Sequence, residues 1–139
     1  MTEEPLSIVA RAAAGDFEGP VKGYLQGGFR RFLEAGGALP LERCLRLPTT
    51  PKRLQKARRD YWLRIAWDGI EASTDWARSV ELARRVQEFR TLGIWQRWRE
   101  HSEPPGGASE LRAALFYAFK AGAKVPETAQ GLDSILRPK

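Results

Sequence analysis

Residues 50–70 read TPKRLQKARRDYWLRIAWDGI, and how this stretch folds decides how the rest of the chain is read. Thr50 stands where a helix cap belongs. Pro51, whose fixed φ suits a first helical turn, then opens a helix that should run to about Ile70. Leu54, Ala57, Tyr61 and Ile65 recur at three- and four-residue steps and make its expected inward face. At about 100° per residue, Lys52, Lys56 and Arg59 fall within roughly one quadrant on the opposite side, flanked by Arg53 and Arg64. Leu63 and Trp67 share that outward side, which is less ordinary than a plain solvated face because Trp prefers to be covered.

The flanking sequence continues in the same helical period, with no stretch of apolar–polar alternation bounded by hairpin turns. A first helix should start near Pro5 and stop at Gly15. Asp16 is placed to cap the next, which carries Phe17, Val21, Tyr24, Leu25, Phe29, Phe32 and Leu33 and ends at Gly36-Gly37. Pro20, Gly23, Gly27 and Gly28 interrupt its early half, so either the helix begins near Pro20 or its glycines permit a close crossing. A short turn from Pro40 to Arg46 should bury Leu41, Cys44 and Leu45.

Beyond Ile70, Ser73-Thr74-Asp75 offers caps for a helix through Trp76, Val80, Leu82, Ala83, Val86 and Phe89, ending near Gly93. A segment from Ile94 to Glu100 precedes the loop HSEPPGG, where a proline pair and a glycine pair can extend no helix. Ser109 should cap a helix closed by Gly122, and a last helix spans about Thr128 to Leu136 before a frayed end at residues 137–139. The fold class is therefore all-α, a compact single-domain bundle of about five to seven helices over residues 1–139.

Composition narrows the function classes. The single cysteine, Cys44, can form no intrachain disulfide, the N-terminal residues lack the basic start of a signal peptide, and no apolar run is long enough to cross a bilayer. A reducing cytoplasm and no membrane partner are expected. Catalysis has little material: His101, the only histidine, falls in a loop beside Glu100 and Glu103, and Cys44 sits at an apolar position of a short helix. One histidine and one cysteine cannot furnish a usual four-ligand metal sphere, and no glycine cluster has phosphate-loop or dinucleotide spacing. The expectation is a non-enzymatic protein without a cofactor.

Charge is the strongest signal. Between Arg43 and Arg64 eight basic residues face one acid, Asp60, giving +7 in a chain whose total is +6, so everything else sums to −1. Such a stripe is the footprint of a polyanion, because each cation laid against a phosphate releases a condensed counterion. Lys52 and Arg53 also occupy the first turn of their helix, where the macrodipole disfavours cations, so stability alone would not place them there. Arg46, Lys52, Arg53, Lys56, Arg59 and Arg64 are the candidate nucleic-acid contacts. The competing reading is a solvated face whose arginines pair with the chain's own acids, such as Glu34, Glu42, Glu81 and Glu88. A helix-turn-helix is a poor fit, since LPTTP is not the usual short glycine-containing turn and no recognition helix follows.

The second candidate is a set of Trp and Arg residues. Trp62, Trp76 and Trp95 read as core, while Leu63, Trp67, Arg97, Trp98 and Arg99 read as an exposed protein interface with Trp67 and Trp98 as anchors. Rings beside guanidinium groups can also stack on splayed bases.

The run ALPLERCLRLPTTPKRLQKARRDYWLRIAWDGI, with IWQRWRE, EPPGGASELRAALFYAF and VPETAQGLDSI, resembles small all-helical proteins encoded by proteobacterial phages and prophages. The resemblance carries over no functional residue; it implies a setting in which small accessory proteins bind nucleic acid or seize a host protein that does. Anti-CRISPR proteins are one such class, but many of them are acidic DNA mimics. An inhibitor with this basic composition would instead contact a guide RNA or a protein surface. The expected partner is thus nucleic acid or a nucleoprotein complex, the alternative a host protein held through Trp and Arg anchors.

Overall fold

The computed structural model describes residues 5–137 and is all-helical, with eight helices and no strand among the described residues, one more helix than the top of the expected range. They are α1 (Pro5–Ala13), α2 (Pro20–Glu34), α3 (Leu41–Cys44), α4 (Pro51–Asp68), α5 (Asp75–Thr91), α6 (Ile94–Trp98), α7 (Glu110–Lys120) and α8 (Ala129–Leu136). The chain divides into two compact units, Met1–Ala57 and Arg58–Lys139. The expected frayed end begins with Arg137, which is bonded to Asp133 through both backbone and side chain; residues 138–139 lie outside the described part.

In the first unit, α2 begins at Pro20, as the first of the two readings has it. Asp16 does not cap it. Its carboxylate accepts from the Glu18 amide at 3.2 Å and from Arg11 Nε at 3.0 Å, and these bonds, the Glu18 amide foremost, hold it below the usual carboxyl value of 3.8. The turn that separates α1 from α2 passes through Gly15 at φ 88° and Gly19 at φ 61°, conformations that favour glycine.

One glycine of α2 marks a close approach. A Cβ added to Gly28 would lie 2.3 Å from Leu45 Cδ2 and 3.4 Å from the Cys44 carbonyl oxygen, so the backbone of α2 lies directly on the end of α3. Arg31 donates to the Cys44 carbonyl from Nε at 3.2 Å and Nη2 at 2.7 Å, and the Tyr24 hydroxyl donates to the Leu45 carbonyl. These bonds satisfy the acceptors left open where α3 stops. Because contact is made along Val21, Tyr24 and Gly28, the expected apolar stripe does not face inward as a whole. Phe17, Phe29, Phe32 and Leu33 are exposed, Leu33 by 76%.

The second unit holds the larger core. Leu63, Ala66 and Trp67 from α4 join Leu82, Ala83, Val86 and Phe89 from α5, Leu115, Phe116 and Ala118 from α7, and Leu132 and Leu136 from α8. Two caps sit where the sequence offers them: Thr74, one of the run Ser73-Thr74-Asp75, accepts from the Ala77 amide at 3.0 Å, and Ser109 from Arg112 at 3.2 Å; Thr128, expected as the start of the last helix, caps it, accepting from Gly131 at 3.1 Å. Trp62 stacks on Tyr117 with centroids 4.6 Å apart, and Trp95 packs against Phe116 and Phe119, so both join the core as expected. Trp76 does not; it is 47% exposed, with Val80 beside it one turn on, because α5 turns Ser79, Leu82, Ala83 and Val86 inward instead.

Ser79 is fully buried and explains that rotation. Trp67 Nε1 donates to its hydroxyl at 3.1 Å, and the hydroxyl donates to Asp133 Oδ1 at 3.1 Å. Replacing Ser79 with Ala leaves the indole N–H without an acceptor, at an expected cost of about 1–3 kcal/mol by urea denaturation. The glycines of α2 give a contrasting pair. Gly23→Ala, where a Cβ meets nothing within 4 Å, should raise stability by about 0.5–1 kcal/mol. Gly28→Ala must push Leu45 aside and should instead lower it by about 1–3 kcal/mol.

Candidate nucleic-acid interface

The basic window begins at the end of α3. Arg46 is the one described non-glycine residue with positive φ, at 57°. The Leu47 amide bonds to the Glu42 carbonyl at 2.8 Å and the Arg46 amide to the Arg43 carbonyl at 3.0 Å, the paired closure of a Schellman motif with Arg46 at the position glycine usually fills. A left-handed residue with a side chain costs about 1–2 kcal/mol. Arg46 is held in that conformation with its side chain exposed.

Four residues later α4 starts as the sequence indicates, with Thr50 Oγ1 accepting from the Arg53 amide at 3.2 Å and Pro51 as first residue. Lys52, Arg53 and Lys56 are exposed, and among the described residues none of their side chains makes an ion pair or a hydrogen bond. Glu81 and Glu88, two of the acids available for self-pairing, are occupied elsewhere. Glu81 binds Arg84 at 2.6 Å and Arg85 at 3.0 Å, and Glu88 binds Arg84 at 3.2 Å. The hydrogen bond from Arg84, ahead of that from Arg85, keeps the Glu81 carboxyl below its ordinary value of 4.5 despite some desolvation. Residues 20–57 contain eight basic residues and only two acids, Glu34 and Glu42, a net +6 equal to that of the entire chain.

Two of the six expected phosphate contacts have other work. Arg59 is only 12% exposed; its Nε and Nη2 hold Asp60 at 2.8 Å, and its Nη1 donates to the Lys124 carbonyl at 2.7 Å. Arg64 is half-buried and reaches the Leu136 and Ile135 carbonyls at 3.3 and 3.4 Å, where it closes the C-terminal end of α8. The candidate face is thereby reduced to Arg46, Lys52, Arg53 and Lys56, joined by the exposed Arg43.

The expected protein interface changes more. Leu63 is fully buried and Trp67 is 3% exposed, while Leu54 and Ile65, expected inside, are 38% and 41% exposed. The expected facing of α4 holds for Lys52 and Lys56, which are exposed, and fails at Leu54, Leu63, Ile65 and Trp67, because one angular sector of the helix changes character along its length: cationic at Lys52 and Lys56, apolar from Leu63 to Trp67. Trp98 is half-buried, its ring set edge-to-face on Phe89 at 5.8 Å. Arg97 and Arg99 are exposed beside it, Arg97 donating to the Leu92 carbonyl at 3.3 Å and Arg99 lying 3.5 Å from Glu100. Cys44 is buried and His101 exposed. Among the described residues no three His, Cys, Asp or Glu side chains gather as a metal site would require, and no helix is long and apolar enough to cross a membrane.

Sequence reasoning missed three features: the left-handed Arg46, which has no glycine to announce it, the exposed rings of α2, and a depression lined by Arg85 and Arg112. No protein-family profile, no curated protein and no solved structure matches this chain.

Arg46→Gly separates the two demands on that residue. Relief of the left-handed strain should raise stability by about 1 kcal/mol in urea denaturation, and if the side chain meets phosphate the same variant should bind nucleic acid more weakly. A variant that is less stable would show that the Arg46 side chain supports the fold.

Proposed function

We propose that this protein is a non-enzymatic, basic helical accessory protein that grips the phosphate backbone of nucleic acid, alone or within a nucleoprotein complex, through Arg46, Lys52, Arg53 and Lys56. The observation that carries the reading is the state of Lys52 and Arg53. They stand in the first turn of α4, against the helix dipole, exposed and unpaired, in a chain whose other arginines on α5 are matched with acids. Charges so placed do not stabilise the helix, and they fit a partner that brings its own negative charge. They read no base edges, so binding should be nearly indifferent to sequence. The proposal extends to a phage or prophage setting and a bacterial cytoplasm.

A second reading is a protein-binding inhibitor or complex subunit. What favours it is the exposed apolar pair Phe29 and Leu33 on α2 together with half-buried Trp98, since exposed rings and apolar side chains mark interfaces more often than solvent.

Short single- and double-stranded DNA and RNA, titrated by fluorescence anisotropy at low and moderate salt, test the first reading. Wild-type protein should bind with an affinity that falls steeply with salt, and Lys52→Ala/Arg53→Ala/Lys56→Ala should lose at least about tenfold at low salt, with a salt slope shallower by about two to three. A folded wild type that binds none of the four, or a triple variant with unchanged salt slope, would sink this reading and move the search to a protein partner.

A further inference from the structure

The unit Arg58–Lys139 carries a second cluster of cations that the α4 face does not use. A depression of about 480 Å³ opens beside α6 and α7, lined by Trp98, Pro105, Gly106, Gly107, Arg85 and Arg112. Small-molecule sites occupy roughly 300–1,000 Å³, so the space is adequate for one ligand of modest size.

The charge balance around it is uneven. Arg84 engages both Glu81 at 2.6 Å and Glu88 at 3.2 Å. Arg85 reaches Glu81 through Nε alone, at 3.0 Å, and Arg112 stands 3.6 Å from Glu88, too far for a normal hydrogen bond. Three guanidinium groups thus share two carboxylates, and the surplus positive charge falls to Arg85 and Arg112. Both side chains keep terminal N–H donors that bond to nothing among the described residues. Two such forks suit a phosphate, which accepts paired N–H bonds. Arg85 also borders a neighbouring groove that contains Glu81 and Glu110, and those acids disfavour an anion on that side. On the Gly106 side no carboxylate lines the depression.

Trp98 supplies the other half of the recognition. Its contact with Phe89 fixes the ring, and the half-exposed remainder borders the depression. A flat aromatic ligand laid on a fixed indole gains stacking without ordering a flexible side chain. We propose that this depression binds a nucleotide unit, with the base against Trp98 and the phosphate on Arg85 and Arg112. The site is independent of Lys52, Arg53 and Lys56, so either can fail without the other.

Calorimetric titration with adenosine monophosphate, adenosine and inorganic phosphate tests it. Two variants perturb the depression differently. A Cβ at Gly106 meets nothing within 4 Å, so the backbone there can carry a side chain, and Gly106→Phe introduces a bulky ring at the wall of the depression. Arg85→Gln/Arg112→Gln removes the charge and keeps polar side chains in place. Circular dichroism and the urea midpoint establish that each is folded.

Adenosine monophosphate should bind the wild type, with adenosine and phosphate each at least about tenfold weaker. Both variants should weaken it at least about tenfold, and the Lys52/Arg53/Lys56 alanine variant should bind it like the wild type. A short single-stranded oligoadenylate that competes for the site, and loses that competition in Gly106→Phe, identifies the nucleotide as part of a strand; failure to compete identifies a free nucleotide. No binding of adenosine monophosphate by the folded wild type, equal binding of inorganic phosphate, or full affinity in a folded Gly106→Phe would each overturn the proposal.

Discussion

A buried indole nitrogen constrains the larger unit. Trp67 is 3% exposed, so its N–H must find an acceptor inside the protein, and Ser79 is the group that provides it. The Ser79 hydroxyl can accept that bond and still donate, and its hydrogen goes to Asp133, whose charge is matched in turn by Arg137 at 3.1 Å. The guanidinium of Arg78 lies 4.6 Å over the same indole ring. The chain of bonds ties α4, α5 and α8 at one level. It also fixes how α4 is rolled about its own axis, because only one rotation brings Trp67 Nε1 to Ser79. With that rotation set, Leu63 and Ala66 turn into the core and Ile65 turns out.

The same rotation determines what the basic residues can do. Lys52, Lys56, Arg59, Leu63 and Trp67 follow one another at three- and four-residue steps along one seam of α4. Each lies in a different environment. Lys52 and Lys56 are exposed, Arg59 is almost covered and bonded to Asp60 and a backbone carbonyl, and Leu63 and Trp67 are core. The seam passes from free charge through anchored charge to apolar packing within four turns. Arg59 and Arg64 therefore support the fold and are poorly placed to meet phosphate, whereas the first two turns of the helix retain theirs.

Much of the architecture is written locally and was legible for that reason. A cap is a short-range interaction between a hydroxyl and an amide three residues on, so Thr50, Ser109 and the run that contains Thr74 could be found from spacing alone. The glycines of α2 left two readings open, and both hold: the helix begins at Pro20, and Gly28 permits the close contact with Leu45. Facing is a different matter. Periodicity identifies which residues share a side of a helix but not which side meets the core, and in α4 the apolar residues are divided between two sectors, so the count favoured the wrong one. The long bonds of Arg59 and Arg64 join residues more than sixty positions apart and leave no local trace. Trp76 and Phe29 were misread for a related reason: a large ring at helical spacing is usually covered, and here the adjoining sectors of α5 and α2, with Ser79 and Gly28, make the contact instead.

The distribution of acids gives the remaining step. On α5 Glu81 and Glu88 lie within a few ångströms of Arg84, and Glu81 also of Arg85, and the lowered Glu81 carboxyl is the consequence of its bonds to Arg84 and Arg85. Residues 20–57 have no comparable option, because eight basic residues there share two acids and Lys52, Arg53 and Lys56 pair with neither. Exposed cations that pair with no acid among the described residues are thus gathered in one short part of the chain, although arginine is spread along all of it. Charges of this kind would attract a polyanion without regard to its sequence. Any discrimination between one nucleotide and another must then come from a surface with a ring to stack on and a shape to fill, which the exposed cations of α4 do not provide.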